Sequence, residues 1–453
     1  MSALTNEAMA QLRHVLDRVG YGELFATIAG DQLFAPDRDA ALRRVETLPP
    51  LERACLRLFA LDEGEPDLPP ALDGLLDALG ALGLVEEGDG PVRLDDLVVV
   101  PVLGGYLLTA TPPGWRPSLS PTGRAYLGPD SLRVARALPT GALGSILDLG
   151  TGCGIQGLLG VRQAAHRVLS DLEPRALALA RLNAELNRPG EDVAVVAGDT
   201  YAPVADERFD LIVSLPPYVP ALQGDEALAT SGGADGADLV RRLIAGAPEH
   251  LCAGGELVFF AQLLTDDAGP LIANELTTLA PGLSGRLLCS DWHALQPYVL
   301  ELATKTAAAT GTDAAVLHAR YLTALREHQA TGVCTVVARL VRPARGDGSE
   351  VAVIGPDRLR AATKLRAVDA LGFVERENGV EVRRFGGPAQ LLSPPAAALL
   401  RAFQAGASID AARHAAWGDP PGADARDLLD QALERSADLV RLGLLERSAT
   451  PPN

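Results

Sequence analysis

Three glycines at alternate positions, Gly150, Gly152 and Gly154, follow directly on the apolar run Ile146-Leu147-Asp148-Leu149. A loop of this kind lets backbone N–H groups approach a ligand that any Cβ would hold away. Alone it fits nucleotides of many kinds. Three carboxylates narrow the choice. Asp171 closes a second apolar run, 21 residues after Gly150, where an acid can accept both hydroxyls of a ribose. Asp199, in Ala197-Gly198-Asp199-Thr200, follows a third run and can accept the exocyclic amine of an adenine, with Thr200 beside it. Asp148 stands just ahead of the glycines, suited to a cationic amino-acid tail and repellent to a pyrophosphate. Together they favour S-adenosylmethionine over a dinucleotide.

These residues need strands and helices to hold them. Between residues 131 and 345 apolar runs alternate with helical patterns, as in a doubly wound α/β sheet. Strands are expected at 145–149, 167–171, 193–196, 209–214 and 256–260, with helices over 157–165 and 174–186, the latter opened by Pro174. On either side the periodicity is helical. Met9, Leu12, Val15 and Leu16 share one helical face, as do Cys55, Leu56 and Phe59. A helix over 71–79, the turn Leu82-Gly83-Leu84 and an extended stretch from Val98 to Val102 outline a winged helix. The phrase returns as Leu371-Gly372-Phe373 ahead of Gly379-Val380-Glu381-Val382, and as Leu442-Gly443-Leu444 after a helix from about Asp424. The expected architecture is therefore a Rossmann-like α/β domain (131–345) between helical, winged-helix-like domains at 1–130 and 346–453.

Bulk properties restrict the partners. A net charge of −18 over 453 residues argues against a general affinity for nucleic acid. The acids of the C-terminal helix, Asp424, Asp427, Asp430, Glu434 and Asp438, outnumber Arg426, Arg435 and Arg441, so it does not read as a phosphate-binding helix. No apolar run approaches the ~20 residues of a membrane span, and the first residues lack a signal-peptide pattern. Five scattered cysteines give neither a disulfide framework nor metal-ligand spacing. A cytoplasmic protein without a metal is the expectation.

Residues ~145–262 resemble the small-domain class I methyltransferases, including the release-factor glutamine N5-methyltransferases and ribosomal RNA guanine N2-methyltransferases. The residues that carry the likeness are 146–155 around the glycines, Asp171 with 174–180, Asn183-Ala184, 209–214 and Pro216-Pro217-Tyr218-Val219-Pro220. With Gly232-Gly233-Ala234-Asp235-Gly236 and its flanking domains, the layout is similar to actinobacterial proteins assigned to this group. The resemblance implies S-adenosylmethionine as cofactor, held by Asp148, Gly150, Gly152, Asp171, Asp199 and the backbone at Leu215. Pro216, Pro217 and Tyr218 then face the methyl acceptor.

One position departs from the family. Its hallmark is Asn/Asp/Ser-Pro-Pro-Tyr/Phe, in which the side chain before the prolines accepts one N–H of a planar amine. Here that side chain is Leu215, which accepts nothing, and a buried N–H left unpaired costs roughly 1–3 kcal/mol. Ser214 points to the opposite side of the strand. The residue types thus favour an oxygen acceptor, carboxylate or hydroxyl, on a small molecule or peptide. Transfer to a glutamine or nucleobase nitrogen is the alternative, and binding of S-adenosylmethionine without transfer is a third reading. An oxygen acceptor invites a general base, for which His293, in Ser290-Asp291-Trp292-His293, is the candidate; His250 reads as a helix-end residue. Tyr106, Trp115 and Tyr126 precede the α/β domain where a lid can sit, although core packing is the expected role of each. By analogy with natural-product O-methyltransferases, winged-helix ends would roof a small-substrate pocket and mediate a homodimer.

Overall fold

The computed structural model describes residues 3–29, 38–86, 91–112, 127–222, 231–266, 269–344, 351–354, 365–367, 371–376, 379–384, 389–405, 407, 409–417 and 445–447. They fall into two compact units, Met1–Leu287 with Asp291–Ala352, and Leu288–Ser290 with Val353–Asn453.

In the larger unit the chain begins with α1 (Ala3–Arg18), α2 (Tyr21–Ala29), α3 (Arg38–Val45) and α4 (Pro50–Cys55), which runs on as a π-type turn, Leu56–Ala60. Ala8, Met9, Leu12, Val15 and Leu16 bury one stripe of α1, the spacing expected from the sequence. Helix α5 (Asp73–Ala81) leads to an antiparallel hairpin, β1 (Leu97–Val102) and β2 (Gly105–Ala110). Leu103 and Gly104 both take positive φ, 52° and 81°, as a two-residue hairpin turn of the twist-matching kind requires.

The α/β part follows: α6 (Pro129–Ala137), β3 (Leu143–Leu149), β4 (Ala164–Asp171), α7 (Pro174–Asn187), β5 (Val193–Ala197), β6 (Phe209–Ser214), α8 (Asp238–His250), β7 (Leu251–Asp266), β8 (Gly269–Pro270), α9 (Leu276–Leu279), β9 (Ser284–Ala294), α10 (Leu295–Thr310), α11 (Ala314–Glu327) and β10 (Gly332–Val341). The strands lie in the order β9-β10-β7-β6-β3-β4-β5. From β5 to β7 neighbours are parallel, and β10 joins β7 antiparallel. The chain leaves β3 on one side for β4 and returns on the other for β6. That reversal opens a crevice at the strands' carboxyl ends, the ligand position of such sheets. The α/β reading of the sequence is therefore the fold observed.

Two element boundaries differ from expectation. The helix expected over 157–165 is only a π-type turn, Ile155–Gly160, and β4 already starts at Ala164. Arg167 accounts for the early stop. Its guanidinium is 1% exposed and donates to the carbonyls of Gly157 (2.6 Å), Val161 (3.0 Å) and Arg162 (3.3 Å), capturing the acceptors a longer helix would use. The strand expected at 256–260 extends over sixteen residues, because β10 pairs with it from Glu256 to Thr265.

The boundary expected near residue 130 is a change of element type inside one compact unit. The apolar face of α1, α5 and the hairpin shares a core with Cys153, Ile155 and Leu158 beside the glycine loop, and with Leu179, Ala180 and Ala184 of α7. Two asparagines make the join specific. Asn183 accepts from the Leu108 N–H (2.8 Å) and donates to the carbonyls of Leu108 and Cys153 (2.8 Å each). Asn187 accepts from the Tyr106 N–H (3.0 Å) and donates to its carbonyl (2.7 Å). Four residues of helix and two of strand both advance about 6 Å, so side-chain amides one turn apart match the free edge of β2.

In the smaller unit, beyond β11 (Val351–Ile354), β12 (Leu365–Ala367) pairs antiparallel with β16 (Leu445–Arg447), while β13 (Leu371–Arg376), β14 (Gly379–Arg384) and β15 (Ala389–Leu392) form a meander. Helices α12 (Pro394–Gln404) and α13 (Ile409–Trp417) follow. Leu371-Gly372 thus lies within a strand, where the sequence pattern suggested a turn, because it pairs with Arg384 and Arg383 of β14. Trp115, Tyr126 and the helix expected from Asp424 lie outside the described residues, as does Leu442-Gly443-Leu444. Among the described residues no helix is long and apolar enough to cross a membrane, and no acid, histidine and cysteine group has metal-ligand geometry.

Replacing Asn183 by Ala strands three buried backbone groups at once. We expect Asn183→Ala to lower unfolding stability by roughly 2–4 kcal/mol, read from urea denaturation. An unchanged midpoint would show that the hairpin edge is satisfied without it.

Candidate active site

The glycine loop begins where β3 ends. Gly150, Gly152 and Gly154 all take positive φ (67°, 55° and 90°). A Cβ at Gly150 or Gly152 would meet nothing within 4 Å. Backbone conformation therefore demands glycine there, and the open space beside both is a cavity. At Gly154 a Cβ would come within 2.7 Å of Leu158.

Hydrogen bonds fix the loop from both sides. The N–H groups of Gly150 and Thr151 donate to the Ser170 carbonyl (2.8 and 3.0 Å), and the Gly152 N–H to Asp171 Oδ2 (2.9 Å). Beneath it, Asp148 Oδ2 accepts from Thr151 Oγ1 (2.7 Å) and the Gly157 N–H (2.9 Å). Asp148 is 1% exposed, and its Oδ1 is buried without a partner. Burial pushes its carboxyl up to about 6, against the hydrogen bonds of Thr151 and Gly157 that hold it down.

The loop forms one wall of a cavity of about 810 Å³ at the strands' carboxyl ends. Gly150, Thr151, Gly152, Asp171, Asp199 and Thr200 line it, and so do Leu215, Pro216, Pro217 and Tyr218. Two expected site residues do not. Asp148 lies under the loop, so the residue suited by sequence to a water-mediated or direct contact with the amino-acid tail is here the loop's internal support. His293 lies on β9 rather than in a loop, because the strand runs on to Ala294; it is exposed and not part of the cavity lining. His250 ends α8, stacked on Tyr201 with centroids 4.5 Å apart and its Nδ1 3.1 Å from the Glu207 carbonyl. Tyr106 packs in the N-terminal core, its hydroxyl on Asp17.

Asp171 Oδ1 accepts the Glu173 N–H (3.0 Å), leaving lone pairs toward the cavity. Asp199 is paired with Arg242 (2.7 Å), which also reaches Thr200 Oγ1 (3.3 Å). Thr200 itself holds a left-handed φ of 49°. On the opposite wall the Ser214 hydroxyl donates to the Leu149 carbonyl (2.8 Å), away from any acceptor role, and Leu215 packs against the core beneath the sheet. Tyr218 is held at both ends: its hydroxyl donates to Asp130 Oδ2 (3.1 Å), and its ring leans on Phe260 at 5.8 Å.

Several lining residues escaped the sequence reading. Asp130 and Ser131 come from the start of α6, and Leu302, Lys305 and Thr306 from α10. Pro129 signals a helix start, but nothing in spacing sets Asp130 beside a tyrosine 88 residues away. With Glu173, the lining holds four carboxylates, Asp130, Asp171, Glu173 and Asp199, against the single ammonium of Lys305. Such a lining, even with Asp199 paired to Arg242, favours cationic ligands over anions.

Residues 129–269 match the model of the methyltransferase small domain. This part of the chain is a class I S-adenosylmethionine-dependent methyltransferase domain of that family. The chain is 40% identical over 126 residues to a release factor glutamine methyltransferase of Geobacter sulfurreducens, covering 25% of this chain and 44% of that protein. It is 36% identical over 128 residues to a ribosomal protein uL3 glutamine methyltransferase of Bradyrhizobium diazoefficiens, covering 26% and 40%. A release factor glutamine methyltransferase of Deinococcus radiodurans is 38% identical over 159 residues, covering 31% and 55%. The chain thus spans about half or less of these relatives' length. The cavity fits the family's cofactor. Its open-sided glycines leave room for backbone contact, and its carboxylates suit a ribose, an exocyclic amine and a cationic tail.

The raised carboxyl of Asp148 has a pH signature. Protonated more readily in the fold than in the unfolded chain, it favours the fold at low pH, and that stability is lost as pH rises from about 4 through about 6. We expect Asp148→Asn to flatten this fall in urea midpoints measured between pH 4 and 7; an identical slope would show that another group causes it.

Proposed function

We propose that the chain transfers a methyl group from S-adenosylmethionine to the side-chain amide nitrogen of a glutamine in a protein or peptide. The observation that carries this reading is the acidic cavity that joins the glycine loop to Pro216, Pro217 and Tyr218. It welcomes a neutral amide and resists a carboxylate, the first of the oxygen acceptors favoured by Leu215 alone. The curated relatives, named for glutamine methylation of release factors and a ribosomal protein, support the same choice.

S-adenosylmethionine, when bound, supplies a methyl group on a positively charged sulfur. The glycine loop, Asp171 and Asp199 hold it, and the fixed ring of Tyr218 gives a flat amide a surface to lie on. Two consecutive prolines lack N–H groups, so the backbone beside Tyr218 offers an amide acceptors only. Orientation of the nitrogen lone pair is what such an arrangement contributes to the rate. The N-terminal helices and hairpin back the glycine loop, and a winged-helix-like C-terminal unit is part of the same proposal. A hydroxyl acceptor is the second reading, favoured by the missing acceptor at Leu215.

The two readings differ in the stability of the product. Incubated with a cell extract and S-adenosylmethionine labelled in its methyl group, the protein should leave label in a protein or peptide fraction. That label should survive mild alkali and be freed by strong acid as methylammonium, volatile as methylamine once the hydrolysate is made alkaline. Label stable to both treatments would fit an ether and overturn the amide reading, whereas label lost to mild alkali as methanol would identify an ester.

A further inference from the structure

Helix α10 lies beyond the segment that matches the family model, yet it lines the same cavity through Leu302, Lys305 and Thr306. The chain inserts α10 and α11 between β9 and β10, which are neighbours in the sheet. Val299, Leu302 and Ala303 belong to a core shared with α11 and β7, and Val219 and Leu222, just after Tyr218, pack against that same core.

Thr306 is the unusual residue on this helix. A threonine inside a helix ordinarily returns its hydroxyl to the carbonyl four residues back. Thr304 does so to Leu300 (2.8 Å), and Thr310 to Thr306 (2.9 Å). Thr306 does not: it is fully buried, and its hydroxyl has no hydrogen-bond partner. A buried hydroxyl without a partner is costly, which makes it an unspent donor and acceptor at the cavity wall. Helical threonine populates two χ1 rotamers, and turning this hydroxyl toward the cavity breaks no existing bond.

We propose that Thr306 supplies the hydrogen-bond acceptor that Leu215 lacks. On the amide reading above, on which this inference rests, a primary amide offers two N–H bonds. The proline backbone accepts one, and the Thr306 hydroxyl accepts the other from the roof instead of from the strand end. Thr306 is thus an acceptor-positioning residue specific to this chain, and α10 is part of its substrate site.

The test uses the full chain saturated with S-adenosylhomocysteine and two small probes, N-acetylglutamine methylamide and the matching glutamate γ-methyl ester. The ester has a similar shape without the two N–H donors. Binding is measured by calorimetry for wild type, Thr306→Val and Thr306→Ser. Wild type should prefer the amide, Thr306→Val should lose about 10-fold of that preference, and Thr306→Ser should keep it. Because valine removes an unpaired buried hydroxyl at nearly constant shape, the variant should fold at least as stably, as read by its thermal midpoint. An amide preference that persists in Thr306→Val overturns the role of Thr306 and leaves the amide reading standing. Equal binding of both probes by wild type overturns the amide reading, and the role of Thr306 with it.

Discussion

A single buried carboxylate underlies the site. Asp148 takes the Thr151 hydroxyl and the Gly157 N–H on the same oxygen, and so ties the middle of the glycine loop to the turn beyond it. With the Ser170 carbonyl and Asp171 holding the other side, three left-handed glycines keep one conformation. Burial charges a cost for that service, visible in the raised carboxyl of Asp148. The cost is borne at a functional loop because backbone shape there decides which N–H groups face a ligand.

The same loop is braced from outside the sheet. Asn183 reaches the Cys153 carbonyl within the loop while its other bonds hold β2. Loop, α7 and hairpin therefore share one network, and the N-terminal helices complete its core. This coupling explains why α1, α5 and the β1–β2 hairpin pack as part of the α/β unit and not as an independent module. Changes in the hairpin edge would reach the cofactor wall through one side chain.

The balance of charge in the cavity and the chemistry at Leu215 pull in different directions. Residue 215 alone argues for an acceptor that needs no orienting bond. Four carboxylates in the lining argue against an anion there. A neutral amide satisfies the second condition, and a hydrogen-bond acceptor elsewhere in the cavity removes the first objection. On the proposed reading, specificity depends on which polar groups converge on the acceptor, not on the identity of one motif residue.

Much of the cofactor half was legible in the sequence, because it is local. Alternate glycines after an apolar strand impose their own backbone geometry, and Asp171 and Asp199 follow strands whose parallel order brings their ends together. Alternation of strands and helices likewise disclosed the α/β class. Long-range packing was not legible. Asp130 meets Tyr218 across 88 residues, α10 arrives over the cavity from beyond β9, and the buried Arg167 shortens a helix by capturing its carbonyls. His293 was misplaced for the same reason, since only strand pairing extends β9 through it. Sequence by itself determined the glycine loop and the strand-end carboxylates beside it, where short-range backbone rules suffice. Tertiary structure decided what lines the rest of the cavity, because that depends on which distant side chains the folded sheet and its inserted helices bring to one wall.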